Sequence, residues 1–525
     1  MDRTQGINAL TSRQEPWDFV IIGGGATGLG CAVEAAARGY DPLLLEMHDF
    51  AKATSSRSTK LVHGGVRYLE QGNVSLVFEA LHERERLQDN APHLVRNLSF
   101  VVPSYKWWEG PYYWTGMKVY DLLAGSQNFG TSRHLGRADT IEQLPTIEQN
   151  GLRGGVQYFD GQFDDTRLAV NMAQTAVDHG GVALNYMKVT DLQKTNGEVT
   201  GVVAHDQESG TTHEIDAHAV INATGIFTDT IREMDDPGAA PTLRPSQGTH
   251  IVLDRSFLPG ESAIMIPKTD DGRVLFAIPW NNRVVVGTTD VAVEEVSHEP
   301  VPTEDEVSYL IEHANRYLAK RVEPSDVLST FAGIRPLVAP PGSSGDTSDI
   351  ARDHQLHVST SGLVTISGGK WTTYRQMAED TIDRAIAQGA LSHSPSTTGS
   401  LRLHGAHDNA DQFGDLSAYG ADAPALQALM EERPELEPPL DDRLPIRGAQ
   451  VVWAAREEMA RTVEDVLARR TRCLLLNAEA SIDIAPRVAE LLAEERGRPA
   501  SWAEAQVDAF TDTARDYMIR SAVPA

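Results

Sequence analysis

The sequence predicts an α/β plus α chain. It comprises a nucleotide-binding domain on a parallel sheet, a substrate domain on an antiparallel sheet, and a C-terminal helical domain. Three observations predict it. A strand, a glycine run and a helix follow one another over residues 18–37. Apolar and polar residues alternate through 249–290. Beyond about residue 400 the apolar positions recur at helical spacing.

The first unit is the most specific. Asp18-Phe19-Val20-Ile21-Ile22 reads as a short buried strand, and residues 29–37 as a helix. Between them stands Gly23-Gly24-Gly25-Ala26-Thr27-Gly28. In that setting G-x-G-x-x-G is a Rossmann-like fingerprint. Gly23 permits the tight turn, Gly25 lets backbone approach a pyrophosphate, and Gly28 allows close helix–strand packing. A second strand, residues 42–45, ends at Glu46, about twenty residues on, where a ribose-binding carboxylate belongs. An acid there favours a free 2′-hydroxyl, hence FAD or NAD over NADP.

Further elements follow in order. Residues 76–88 read as a helix and 181–221 as an antiparallel meander. The strand 219–222 runs into Ala223-Thr224-Gly225, and the strand 363–366 into Ser367-Gly368-Gly369-Lys370. Strands ending in small residues suit a parallel sheet whose carboxyl ends line a ligand crevice. These cues divide the chain. Residues 15–95, 150–245 and 330–385 form a discontinuous nucleotide-binding domain, and 96–149 with 246–329 the substrate domain. Residues 386–400, rich in Ala, Ser, Thr, Gly and Pro, form a linker, and 401–525 the helical domain. In the last, Val452, Ala455, Met459, Val463 and Val466 fall on one helical face, and no catalytic constellation is evident.

Composition narrows the function. At 525 residues with 41% hydrophobic content, the chain can hold two to four cored domains. No apolar run approaches the ~18 residues of a membrane span. Residues 1–16 lack the order of a signal peptide, so the expected location is the cytoplasm. Two cysteines, Cys31 and Cys473, exclude a disulfide framework and a four-cysteine cluster. No metal site is expected. The net charge is −28, and only 9 of 46 basic residues are lysine. Such a surface repels nucleic acid. It suits a salt-rich cytoplasm as well as an ordinary acidic protein.

Several segments carry chemistry. Residues 54–70 combine hydroxyls with His63-Gly64-Gly65 and Arg67-Tyr68. Then come Gln247-Gly248-Thr249-His250, Gly287-Thr288-Thr289-Asp290, residues 333–337 with Arg335, residues 351–354 with Arg352, and residues 368–375. Singly, each arginine reads as an ion-pair partner and each histidine as a loop residue. Together Arg67, Arg335, Arg352 and Lys370 could clamp a phosphate.

The combination resembles the FAD-dependent, quinone-reducing glycerol-3-phosphate dehydrogenases. The resemblance rests on residues 21–25, Ser55-Ser56, 60–70, 164–168, 222–225, 287–290, 333–337, 368–375 and 456–472. It implies the FAD-binding fold of the glutathione-reductase/D-amino-acid-oxidase type. It also implies oxidation of sn-glycerol 3-phosphate to dihydroxyacetone phosphate, with hydride passing from C2 to flavin N5 and electrons to a membrane quinone. Arg67, Tyr68, Thr288, Arg335, Arg352 and Lys370 are implied to contact substrate. His63, His250, Arg335 and Lys370 are the candidate catalytic residues, with the base undecided between the two histidines. FAD contacts are implied for Gly23, Gly25, Gly28, Glu46, Ser55, Ser56, Lys60, Leu61, His63, Gly64, Gly65, Ala223, Thr224, Gly225, Gly368, Gly369, Lys370, Trp371 and Thr372. His354 departs from the family, which usually has Tyr there.

Residues 105–120 hold Tyr105, Trp107, Trp108, Tyr112, Tyr113, Trp114 and Tyr120 beside Lys106 and Lys118. The cluster suits a peripheral, monotopic contact with the inner face of the cell membrane, or a packed domain junction. A homodimer is left open. So are an oxygen-reducing glycerol-3-phosphate oxidase, an amine or amino-acid oxidase, and a non-catalytic flavin- or NAD-binding sensor.

Overall fold

The computed structural model describes residues 1–65, 74–125, 129–269, 273–338 and 353–519. Two sheets form its frame. The first runs, in spatial order, His354–Val358, Val364–Gly368, Thr212–Asn222, Trp17–Ile22, Pro42–Leu45 and Val182–Leu184. All but the edge strand His354–Val358 run parallel. Its inner strands are continuous apolar runs because helices cover one face, and an antiparallel meander with the helices Arg3–Ser12 and Thr228–Asp235 covers the other. Ala26–Ala37 and Tyr374–Gln388 pack against each other over one face, in a core that holds Cys31. The meander Met187–Thr195 and Glu198–Asp206 pairs with the start of Thr212–Asn222. Residues 182–184, read from sequence as part of that meander, instead extend the parallel sheet beside Pro42–Leu45.

The second sheet runs Val291–Ala292, Ser246–Asp254, Arg283–Gly287, Leu275–Trp280, Ala263–Ile266, Val95–Ser104, Gly154–Phe163 and Leu61–Val62. Val327–Arg335 pairs beside Ser246–Asp254, and Arg133–Gly136 beside Gly154–Phe163. Two of the expected boundaries change. Gly154–Phe163 pairs with Val95–Ser104 along its whole length, and Val327–Arg335 with Ser246–Asp254. Both segments therefore belong to the antiparallel side rather than the nucleotide-binding side. Long-range ladder bonds decide this, and local pattern carries no record of them.

The C-terminal region is helical, with Gly448–Glu457, Ala478–Glu495 and Ala500–Arg515 as its main helices. Its core includes Val252, Trp280, Val285 and Phe331, so it is seated on the second sheet. The single face expected over residues 452–466 is broken. The helix ends at Glu457, Met459 takes φ +53°, and its side chain joins the core of the first sheet instead. Residues 389–400 are no free linker. Ser394 donates to the Arg38 carbonyl (3.0 Å), and the Tyr40 hydroxyl donates to the Ser392 carbonyl (2.5 Å).

Gly28 packs its backbone on the first turn of the loop. A Cβ there would lie 1.8 Å from the Gly23 carbonyl oxygen. We expect Gly28→Ala to destabilise the protein by about 2 kcal/mol in chemical denaturation, because backbone must move.

His404 ties the helix Asp165–Asp178 to the C-terminal region. Nδ1 lies 2.7 Å from Asp178 and Nε2 3.0 Å from Asp422. Burial opposes its charge, but the two carboxylates outweigh burial and raise it to about 9. The folded value exceeds the unfolded one. This contribution is therefore complete below pH ~6.5 and lost as pH rises to about 9. Asp178 is half exposed, so screening limits it to about 1 kcal/mol. Stability measured across that window should fall in the native protein and flatten in His404→Gln.

Candidate active site

A cleft of about 340 Å³ lies at the carboxyl ends of the parallel strands, between the two sheets. Its first end is built by the glycine loop. Gly23 takes φ +108°, and a Cβ on it would lie 2.7 Å from the Ala223 carbonyl. Gly25 is the N-cap of helix Ala26–Ala37 and gives that end no side-chain cap. A ligand phosphate can therefore take the helix N–H groups. The Ser55 hydroxyl accepts from the Ala26 N–H (2.9 Å), holding residues 54–59 over the helix start. Glu46 accepts from the N–H groups of Gly24 (2.7 Å) and His48 (2.8 Å), which fix its carboxylate at the rim. Burial raises its pKa against these bonds. Open glycines, the N-terminus of helix Ala26–Ala37 and an anchored acid fit a dinucleotide's pyrophosphate and ribose.

The middle of the cleft is lined by Ala223, Thr224, Gly225, Gly333, Gly368 and Gly369. Trp371 lines it too, its indole N–H donating to the Ser55 carbonyl (3.0 Å).

The far end gathers Leu61, His63, Gly248, His250, Phe276, Arg335, Lys370 and Thr372. The His63 N–H donates to the Thr372 hydroxyl (3.3 Å). His250 stacks on Phe331, with centroids 4.6 Å apart and planes 11° off parallel. Its Nε2 lies 3.0 Å from the Thr59 hydroxyl. Burial first, then the charges of Lys60 and Arg335, hold this imidazole well below its ordinary value and so neutral. Arg335 donates through Nη1 to Ser246 (3.2 Å) and Asp290 (3.4 Å), and through Nη2 to Thr288 (3.2 Å) and the Thr289 carbonyl (3.0 Å). These acceptors fix the planar fork.

Several expected contacts lie elsewhere. Ser56 and Lys60 do not line the cleft. Lys60 is fully buried behind it, its ammonium donating to Asp165 (2.6 Å) and the Ser56 carbonyl (2.8 Å). Thr288 stands behind Arg335 as its hydrogen-bond acceptor. Gly28 packs under the loop, and the Gly64 N–H donates to the Tyr120 hydroxyl (3.0 Å), so neither lines the cleft; nor does Gly65. His354 pairs with Asp380 (2.9 Å), outside the cleft lining. Arg67, Tyr68 and Arg352 lie outside the described residues.

Sequence reasoning missed the supports. Asp165 receives Lys60, the Ser58 hydroxyl (2.7 Å) and Arg472 (2.9 Å). Arg469 and Arg470 both reach Asp49, just past Glu46. No described residue of the C-terminal region lines the cleft; its arginines brace the segments that do. Their signal was the run Arg469-Arg470-Thr471-Arg472 in so acidic a chain. Among the described residues, no cluster of His, Cys, Asp and Glu could hold a metal.

The family model described as FAD dependent oxidoreductase matches residues 18–375. The model described as the C-terminal domain of alpha-glycerophosphate oxidase matches 363–507. The mitochondrial glycerol-3-phosphate dehydrogenase of Mus musculus is 39% identical, over 97% of this chain and 74% of that protein. Its Schizosaccharomyces pombe counterpart is 37% identical, over 96% and 87%. The X-ray structure of the glycerol-3-phosphate dehydrogenase from Bacillus halodurans complexed with FAD superposes with a TM-score of 0.78. It shares 30% identity and covers 98% of this chain and 97% of that one. The L-alpha-glycerophosphate oxidase from Mycoplasma pneumoniae with FAD bound is similar in fold alone, with a TM-score of 0.55, 16% identity, and coverage of 74% and 98%. An open glycine cradle with an anchored acid, shared with relatives of this extent, makes FAD the cofactor, and the chain belongs to the FAD-dependent glycerol-3-phosphate dehydrogenase family.

Proposed function

We propose that the protein oxidises sn-glycerol 3-phosphate to dihydroxyacetone phosphate and passes the electrons to a membrane quinone. One observation carries the reading. A single cleft joins the glycine loop to a pocket holding Arg335, Lys370 and two histidines. When bound, the flavin supplies a two-electron acceptor for the hydride leaving C2. Arg335 and Lys370, in a chain of net charge −28, supply the local positive field that holds a phosphate dianion. The C2 hydroxyl proton goes to His250, with His63 the alternative. The Phe331 stack and the Thr59 hydroxyl fix the ring, which is uncharged before the transfer.

The purified protein should be yellow, and anaerobic glycerol 3-phosphate should bleach it. His250→Asn should slow that bleaching by about 10²- to 10⁴-fold in stopped flow. Bleaching at the native rate moves the base to His63. A protein that keeps its colour under saturating substrate sinks the substrate assignment.

An apolar face supports the quinone as acceptor. Helix Glu109–Ala124 and its approach leave Trp107 76% and Leu122 80% exposed, with Tyr112 and Trp114 also exposed. Helix Val74–Asn90, packed beside it, exposes Phe78. No described helix is long and apolar enough to cross a membrane. Such a face suits shallow burial in an interface, through apolar area rather than charge. The inner side of the same helix holds the residue after His63, for Tyr120 accepts from the Gly64 N–H and donates to Asp160 (2.9 Å). Trp107→Glu with Leu122→Glu should abolish flotation with phosphatidylcholine vesicles. It should also lower quinone reduction relative to turnover with a water-soluble dye. An oxidase would instead yield stoichiometric peroxide and ignore both changes.

A further inference from the structure

The loop between Val291–Ala292 and the helix Glu304–Tyr317 starts from the antiparallel wall and reaches across the cleft. His298, on this loop, stacks on Phe227 with centroids 4.1 Å apart and planes 25° from parallel. It meets His48 edge-on at 4.5 Å and 77°. Phe227 follows the strand Thr212–Asn222 and His48 follows Pro42–Leu45, so both partners stand on the opposite wall. His298 and Phe227 line the cleft at the end marked by Glu46, Met47 and Lys52. That is the ribose end of a dinucleotide.

The loop is fastened as well as stacked. Buried Arg57 donates to the His298 carbonyl (2.7 Å) and to Glu299 (2.6 Å). The Tyr517 hydroxyl donates to the same Glu299 oxygen (3.0 Å). Lys52 bridges Glu299 (3.1 Å) and Glu464 (2.6 Å). Burial, and then Lys52 among the neighbouring charges, keeps the pKa of His298 low, and His48 is held at about 4. The two rings therefore meet without charge repulsion. Proton transfer at the other end of the cleft uses none of these groups.

We propose that His298 is a clasp on the adenosine half of FAD, joining the two cleft walls over it so that the cofactor is retained. The proposal rests on FAD as the cofactor and is independent of substrate and acceptor.

The test uses the full-length holoenzyme and follows FAD release by flavin fluorescence after dilution. His298→Ala should release FAD about tenfold faster, the order expected for losing two ring contacts. His298→Phe keeps a ring on Phe227 and should stay within about twofold of the native rate. Native-rate release from His298→Ala overturns the proposal. Equal acceleration in both variants also overturns it, since the ring is then irrelevant. Should circular dichroism show His298→Ala to be unfolded, Phe227→Ala removes the same stack from the other wall and must give the same acceleration. Release is read without substrate, so failure here leaves the oxidation of glycerol 3-phosphate untouched.

Discussion

The course of the segment that lines the far end of the cleft depends on one buried carboxylate, Asp165. It sits at the start of a helix of the nucleotide-binding side, wholly out of solvent. Lys60 reaches it from the segment that lines the cleft, and Arg472 from the C-terminal region. Lys60 and Arg472 both adopt left-handed backbone, at φ +62° and +64°, which side chains rarely take. Such conformations persist only where surroundings over-determine them. Asp165 does so, binding both ammonium and guanidinium within 3 Å and also accepting from the Ser58 N–H and hydroxyl. Burial pushes its pKa up, but the two cations overcome this and keep it ionised. A buried ion pair contributes little net stability against an apolar alternative, while an orphaned one costs several kcal/mol. The group is thus better understood as fixing where residues 56–60 run than as strengthening the fold. Thr59, next to Lys60, is the residue that orients His250.

The same logic explains why so acidic a chain buries so many arginines. Arg84, Arg167, Arg469, Arg470 and Arg472 are all essentially without solvent contact. Each is paired, with Asp160, Glu458, Asp49 or Asp165. A guanidinium suits this work because its fork can satisfy several acceptors at once and its charge persists in a dry site. The exposed pairs, such as Arg487 with Glu490, are screened and contribute little. Basic residues are scarce in this sequence, and many of them are spent inside, at domain junctions.

How legible this was from sequence varied with range. The strand, glycine loop, helix and acid at residues 17–46 were readable because each feature is local and the order is specific. The alternating strands of 249–290 were readable for the same reason. Gly154–Phe163 and Val327–Arg335 were misassigned, since their partners lie 58 and 89 positions away in register pairs such as Phe100 with Tyr158 and Ser246 with Arg335. Lys60 looked like a cofactor contact because it stands between Thr59 and Leu61, which line the cleft; only the side-chain direction sends it inward. Arg472 was invisible as a site residue because its partner, Asp165, is 307 positions distant. Thr288 was credited with a substrate contact, while its hydroxyl works one layer back, on Arg335.

The cleft is therefore shaped by two kinds of interaction with different reach. At the glycine end backbone shapes the cleft: N–H groups and absent side chains leave a place that fits a pyrophosphate. At the far end side chains shape it, and they are fixed by neighbours from other parts of the chain: His250 by Thr59 and Phe331, Arg335 by Ser246 and Thr288. Backbone recognition is common to many dinucleotide-binding chains and needs only a local motif. Side-chain placement to a fraction of an ångström needs a rigid second layer. The C-terminal region adds to that layer without lining the cleft, through Arg472 on Asp165 and, behind Glu46, through Arg469 and Arg470 on Asp49. A helical region distant in sequence from the glycine loop thus shapes the cleft through the positions it holds for others.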